Sequence, residues 1–348
     1  MSVTIRRLDE RSRTAWDRFV DETPAATFFH RTGWADAVER AFGHAPHYIF
    51  AERDGAITGV LPLIRVKTRL FGDTLISNAF CVYGGVAAVD AGSAAALVQE
   101  AEAMRERLGV HAVELRDRDP APPGSQGEGW IERPDLYVTF RKPIDADNDK
   151  NMKAIPRKQR AMVRKAISLG LTSVVGTDTS VLFPVYAESV RNLGTPVFSR
   201  RWFDVLMQVF GRDADVVTIM NKETPVASVL NFYFRDEVLP YYGGGTSEAR
   251  ACAANDLMYW EVMRRAADRG YRMFDFGRSK LGTGAFAFKH NWGFPDFKLH
   301  YRFKLAPGQG IPEHNPANPK YRLFIEAWKK LPLPVANRIG PFIVRGLG

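Results

Sequence analysis

One order of elements occurs twice along this chain. Trp34 opens the run ADAVERAFG and Trp202 opens FDVLMQVFG, so each tryptophan begins an amphipathic helical stretch that closes on Phe-Gly. An apolar segment, a turn and a further strand follow each, YIFAERDGAITGVLPLI in one half and VVTIMNKETPVASVLNFYF in the other, with DG and KETP as the turns. Both halves then reach one tripeptide, Tyr83-Gly84-Gly85 and Tyr242-Gly243-Gly244. The helical stretches AAALVQEAEAMRERLG and NDLMYWEVMRRAADRG come next, each stopping on glycine, and the strands VHAVELRD and YRMFDFGR follow them. A shared order across several elements constrains the fold more than any one motif. It predicts an α/β fold of the α+β type: two homologous domains, residues 1–147 and 148–300, each a mixed sheet flanked by helices. The 348 residues exceed one typical core, which agrees with two domains.

Between the halves, DRDPAPPGSQGEGW reads as an exposed loop and RKPIDADNDKNMK as the crossing. Residues 301–348 form a Pro-rich connection and a short basic amphipathic helix, expected either to pack back on a domain or to touch an anionic membrane surface. Lys and Arg number 48 against 39 acids, so a phosphate-bearing partner, RNA or an anionic membrane face is the expected partner class. The two cysteines, Cys81 and Cys252, are far apart in apolar settings and read as reduced, buried thiols. No apolar run reaches the roughly 18 residues of a membrane span, and MSVTIRRLDERSR has no apolar signal core, so the expected compartment is the cytoplasm.

The segments FDFGRS and GTGAFAFKHNWGF, with IPRKQRAMVRKAISLG upstream and the repeated element order, resemble the FemAB family of aminoacyl transferases and its BioF2-like acetyltransferase relatives. The resemblance covers nearly the whole chain and implies two tandem GNAT-like domains. In length and in FDFGRS it is most similar to the FemAB-like proteins associated with PEP-CTERM/exosortase loci. It implies transfer of an acyl group, usually aminoacyl from charged tRNA, to an amine of a cell-envelope or exopolysaccharide precursor, with no bound cofactor. The family's Phe-Lys pair, which contacts the reacting ester, matches Phe288-Lys289. Its phosphate-binding basic segment matches Arg157 and Lys158, and its arginine matches Arg191 or Arg200.

The residues carry their own chemical reading. Amine attack on an ester or thioester builds negative charge on the carbonyl oxygen, and a fixed donor in a dry pocket stabilises it by several kcal/mol. Lys289, beside Phe288 and near Trp292 on an expected return strand from Phe286 to Trp292, fits that role; a lysine snorkelling from a strand edge gives the same pattern. Asp275 and Arg278 close a strand at Gly277, where α/β folds present ligand-binding groups, or else form an ion pair that orders the turn. Ser279 lacks the G-x-S-x-G context of a nucleophile, and Gly282-Thr283-Gly284 lacks a dinucleotide fingerprint. Those glycines fit a mobile turn from Arg278 to Gly284.

Six basic residues lie between Lys153 and Lys165 without an acid. A helix begun near Pro156 places Arg157, Arg160 and Arg164 along one side, suited to a polyanion or to plain solvation. Tyr241 and Tyr242 are candidates to line an acyl pocket with Asn231 supplying an amide, against ordinary sheet packing; Tyr83 and Trp34 read as core. The histidines, His44, His47 and His290 among them, have no partners with ligand spacing, so no metal site is expected. An acyl-CoA donor is the second reading, weakened because no Gly-rich pyrophosphate loop precedes either helix. A non-catalytic binding or scaffold protein is the third.

Overall fold

The computed structural model describes residues 3–69, 71–311 and 319–348. Contacts among them divide the chain into two compact units. The first takes residues 3–137, 298–311 and 345–348, and the second 138–297 and 319–344. This division differs from a simple break at residue 147, and strand pairing is the reason. Val138–Pro143 pairs antiparallel with Met273–Ser279 in the second unit's sheet, whereas the late strand His300–Leu305 pairs with Ala112–Asp117 in the first.

In the first unit the sheet is split. One piece has four strands, in the order Thr4–Arg7, Ile49–Arg53, Ala56–Leu61 and Ala87–Ala88. The other has six: Ala45–Pro46, Leu63–Thr68, Gly72–Ser77, Ala112–Asp117, His300–Leu305 and Ile131–Arg133. The break between Leu61 and Leu63 falls on Pro62, which cannot donate to a ladder. Pro62 stands seven residues past the turn residue Gly55, as Leu230 stands seven past Glu223, and in the second unit the register slips between Leu230 and Asn231 instead of breaking. The repeat thus keeps an interruption while changing its chemistry. Helix Ala91–Leu108, capped by Asp90 accepting from Ser93 N at 2.8 Å, buries Leu97, Val98, Ala101 and Met104 against this sheet's core.

The second unit holds a seven-stranded sheet whose first six strands run Thr172–Gly176, Ala214–Asn221, Thr224–Phe234, Glu237–Gly245, Met273–Ser279 and Val138–Pro143. Side-chain alternation sets its two faces. Tyr233 joins the core formed with helix Ala254–Asp268, on which helix Arg157–Ser168 packs. Phe232 and Tyr242 point the other way, to helices Thr179–Leu193 and Arg200–Phe210, where Tyr242 meets the rings of Tyr186, Phe198 and Phe203. The YGG glycines answer to packing: a Cβ on Gly244 would lie 2.3 Å from Ser189 Oγ, and one on Gly85 2.0 Å from Asp117 Oδ1.

Trp34, Trp202 and Tyr83 are buried core residues. Cys81 is buried, but Cys252 is only half-buried. The tail carries two helices rather than one, Pro319–Lys329 and Leu333–Val344, while the expected Pro-rich connection falls largely in 312–318, outside the described residues. Among the described residues no helix is long and apolar enough to cross a membrane.

Candidate active site

The strand Met273–Ser279 is joined differently on its two sides. Its parallel ladder with Glu237–Gly245 links Glu237 to Met273 and Val238 to Phe274 and goes no further, so the two strands leave an opening beyond Phe274. Against Val138–Pro143 the register slips: Phe140 faces Gly277, Arg141 faces Asp275, and Phe276 is the extra residue of a β-bulge. Gly277 takes φ +67°, the left-handed conformation that glycine adopts at no steric cost. Asp275, 1% exposed, fixes the bulge from within. Its Oδ1 accepts from Gly277 N at 2.6 Å, and its Oδ2 lies 3.2 Å from Arg141 Nε, while Arg141 also pairs with Glu237. Asp275 therefore shapes the strand end that carries the site.

The segment expected to return as a strand is instead a helix, Gly284–Asn291. Thr283 caps it, Oγ1 accepting from Phe286 N at 3.3 Å. The alternation of Phe286 and Phe288 imitates strand periodicity, yet the rings meet at helical spacing: Phe286 stacks on His290 and Phe288 packs on Trp292, each four residues on. Helical geometry turns Lys289 back onto the bulge. Its Nζ donates to the carbonyl oxygens of Gly277 at 3.0 Å and Arg278 at 2.9 Å, and lies 5.8 Å from the centre of the Phe140 ring. Burial is the largest influence on this ammonium, with Arg278 adding to it and Asp275 opposing, and its pKa falls to about 7. Lys289 is thus a cation with a donor to spare, poised to lose its proton near neutrality.

The aromatic ring of Phe140 lies beside it and meets Phe286 at 5.3 Å, and a ring cluster packs under the helix. Phe276 packs on Phe288, Trp292 and Phe294, and Tyr259 lies against Phe276, Phe288 and Trp292. These rings belong to the core on which the Lys289 helix sits. Asp256, in the first turn of helix Ala254–Asp268, accepts from Trp292 Nε1 at 3.0 Å, and burial raises its pKa to about 6. Burial, with the nearby Asp256 charge, likewise pushes the Tyr259 phenol up to about 12. Sequence reasoning missed both residues, although an acid beside Leu257 and Met258 in NDLMYW was a visible sign.

The basic helix Arg157–Ser168 begins directly after Pro156. A Cβ on Gly293 would lie 3.0 Å from Pro156 Cγ, so the helix start abuts the turn that ends the Lys289 helix. Arg157, Lys158 and Arg164 are exposed, Arg160 is half-buried, and Lys165 Nζ donates to Ala251 O at 2.8 Å. The structure therefore brings Lys289, Phe288, Asp275 and Arg278 together, and the helix that carries Arg157 and Lys158 starts beside the turn at Gly293. It does not bring the other expected residues there. Tyr242 is packed in the opposite face, and the half-buried Tyr241 lies 5.6 Å from Phe232. Arg191 Nη1 donates to Lys329 O at 3.2 Å, and Arg200 lies 3.9 Å from Asp204. Asn231 is fully buried with Nδ2 on Asp215 at 2.9 Å, an anchor within the sheet.

A cavity of about 100 Å3 in the first unit has His30, Tyr83, Asp117 and Arg302 in its lining. Its groups satisfy one another: Asp117 accepts from Arg302 at 2.7 Å and from Val86 N at 2.9 Å, and His30 Nε2 meets Gly85 O at 2.9 Å. These bonds hold the YGG segment in place, and the volume suits a few waters.

Residues 157–290 match the acetyltransferase (GNAT) domain, a span that contains the basic helix, the opened strands and Lys289. Among solved structures, FemX superposes with a TM-score of 0.69 at 15% identity, covering 92% of this chain and 100% of FemX. The L-PGS of Bacillus licheniformis gives 0.57 at 12%, covering 93% and 98%. A tandem GNAT protein from the clavulanic acid biosynthesis pathway gives 0.56 at 12%, covering 89% and 100%. A search of curated proteins found no match. The chain has a FemAB-like tandem GNAT fold, and its matched domain is of the acyltransferase kind.

Proposed function

We propose that this protein is an acyltransferase that forms an amide on an amine acceptor, with aminoacyl-tRNA as donor and a cell-envelope or exopolysaccharide precursor as acceptor. The observation that carries the reading is Lys289 Nζ, held on two backbone carbonyls at the mouth of the opened strands beside the Phe140 ring. In the reaction the amine nitrogen bonds to the ester carbonyl carbon, charge develops on the carbonyl oxygen, the ester C–O bond breaks, and the amine's proton leaves with the departing alcohol or to solvent. Lys289 donates to the developing oxyanion. Arg157 and Lys158 supply charge to a phosphate-bearing partner beside it.

A donor of acyl-CoA is the second reading, favoured by the match to an acetyltransferase domain. Against it, the helix that would face a pyrophosphate begins with Ala253 in a left-handed conformation and carries Asp256 in its first turn. An acid there already complements the helix dipole and repels phosphate. Calorimetric titration with charged tRNA and with acetyl-CoA, each at low and high salt, separates the two. Salt-sensitive binding of tRNA is the expected result; binding of acetyl-CoA alone reassigns the donor.

A further inference from the structure

Among the described residues, the three most exposed large hydrophobic side chains are Phe342, Leu323 and Leu193, at 81%, 75% and 69%. They lie on adjoining elements of the second unit: the two tail helices and the C-terminal end of helix Thr179–Leu193, on which both tail helices pack. That seat is close. A Cβ on Gly194 would lie 2.4 Å from Ile325 Cγ2, and one on Gly340 2.9 Å from the backbone nitrogen of Val197. The exposure is therefore that of the outer side of docked helices. Along Leu333–Val344 the inner side is Ala336, Gly340 and Val344, while Val335, Ile339 and Phe342 face outward with Arg338 among them.

Charge identifies what this face meets. Residues 323–344 contain Lys329, Lys330 and Arg338 but one acid, Glu326, which Lys329 meets at 2.9 Å. Large apolar side chains left exposed on docked helices mark an interaction site, and an amphipathic helix with large apolar residues beside cations lies in the interface of an anionic bilayer. We propose that the two tail helices dock the protein on an anionic phospholipid surface, with Leu323, Ile339 and Phe342 entering the acyl boundary and Lys330 and Arg338 meeting phosphates. A second copy of the same face would set like charges against each other. The contact is peripheral, since neither helix has the length to span a bilayer.

The test is flotation of the full chain with vesicles of phosphatidylglycerol and phosphatidylcholine, against phosphatidylcholine alone, at low and high salt. Binding to the anionic vesicles, at least about tenfold weaker on the neutral ones and reduced by salt, is expected. Phe342→Glu and Ile339→Glu change outward positions and abolish it, whereas Lys330→Glu and Arg338→Glu weaken it by about fivefold per charge removed. Lys289→Ala leaves it unchanged, which separates this proposal from the catalytic reading. Absence of vesicle binding by folded protein overturns the proposal, as does binding indifferent to lipid charge. A concentration-dependent dimer that Phe342→Glu dissolves, with no vesicle binding, overturns it in favour of a second copy.

Discussion

Lys289 Nζ donates to the carbonyl oxygen of Gly277 at 3.0 Å, tying a helix to a bulge that only a left-handed residue permits. With the carbonyl of Arg278 as a second acceptor, two of its three donors are fixed and the third is free to follow a substrate. A freely snorkelling lysine would not be held this way. The proposed transfer therefore depends on Lys289 in the chemical step more than in binding.

Replacing Lys289 by Ala should lower kcat about 10²- to 10³-fold, the range for removal of one oxyanion donor. Donor dissociation constants measured by calorimetry should change little. Unchanged turnover in a correctly folded variant would remove Lys289 from the chemistry.

The pH dependence follows from the depressed pKa of Lys289, about 7. As an ammonium donor it is competent below that value, so kcat should fall as pH rises through about 7, once the acceptor amine's own titration is measured separately. Arg278 contributes to the depression, so Arg278→Gln should move the inflection to higher pH. For stability the sign is opposite to that of a paired lysine. The folded state resists protonation that the unfolded chain accepts, so stability present above the unfolded lysine range is lost as pH falls toward about 7. Lys289→Met should flatten that slope in thermal melts across pH 7 to 10; an unaltered slope would show that the buried amine is not its source.

Gly277→Ala isolates backbone strain. A Cβ there meets nothing within 4 Å, so the cost is conformational, about 1–2 kcal/mol, at φ +67°. That predicts a fall in Tm of a few degrees, with Gly277→Asn less damaging because asparagine tolerates the left-handed region. Activity should fall more than stability, because the bulge sets the two carbonyls that hold Lys289. Equal stability of the Ala and Asn variants would contradict this account.

The repeated element order was legible because hydrophobic periodicity and glycine stops are local signals. Lys289 was legible through its aromatic neighbours, but its mounting was not: Phe286 and Phe288 alternate as a strand would, and the Thr283 cap that makes a helix was hidden among glycines. Tyr241, Tyr242 and Asn231 looked like one pocket because they are near each other in register. The slip that opposes Asn231 to Pro240 and leaves Tyr241 extra, and the alternation of faces, sends Asn231 to the side of Tyr233 while the two tyrosine rings meet each other on the opposite side. Domain limits were missed for a related reason, since the partners of Val138–Pro143 and His300–Leu305 lie far away in sequence and no local pattern names them.

Asp256 offers a second titration. Its pKa, raised to about 6 by burial, means that the folded state takes a proton more readily than the unfolded chain. The resulting stability is complete below the ordinary aspartate range and is lost as pH rises toward about 6. Asp256→Asn keeps an oxygen for Trp292 Nε1 and cannot ionise, so its melting temperature should vary less than the parent's between pH 4 and 6. A parallel pair of melting curves would place the titration elsewhere.

The basic helix tests the phosphate-bearing partner apart from the chemistry. Arg157 and Lys158 are exposed at its start, next to the turn that ends the Lys289 helix, and neither is needed to fill the core beneath Val163 and Ala166. Arg157→Glu with Lys158→Glu should therefore leave the fold intact and raise the dissociation constant for charged tRNA. The dependence of log K on log salt should flatten by about one for each phosphate that the helix no longer neutralises. Turnover at saturating donor should remain close to the parent value, the opposite of the Lys289→Ala pattern. An unchanged affinity and slope would show this helix to be a solvated face and would move the phosphate-binding role to another part of the protein.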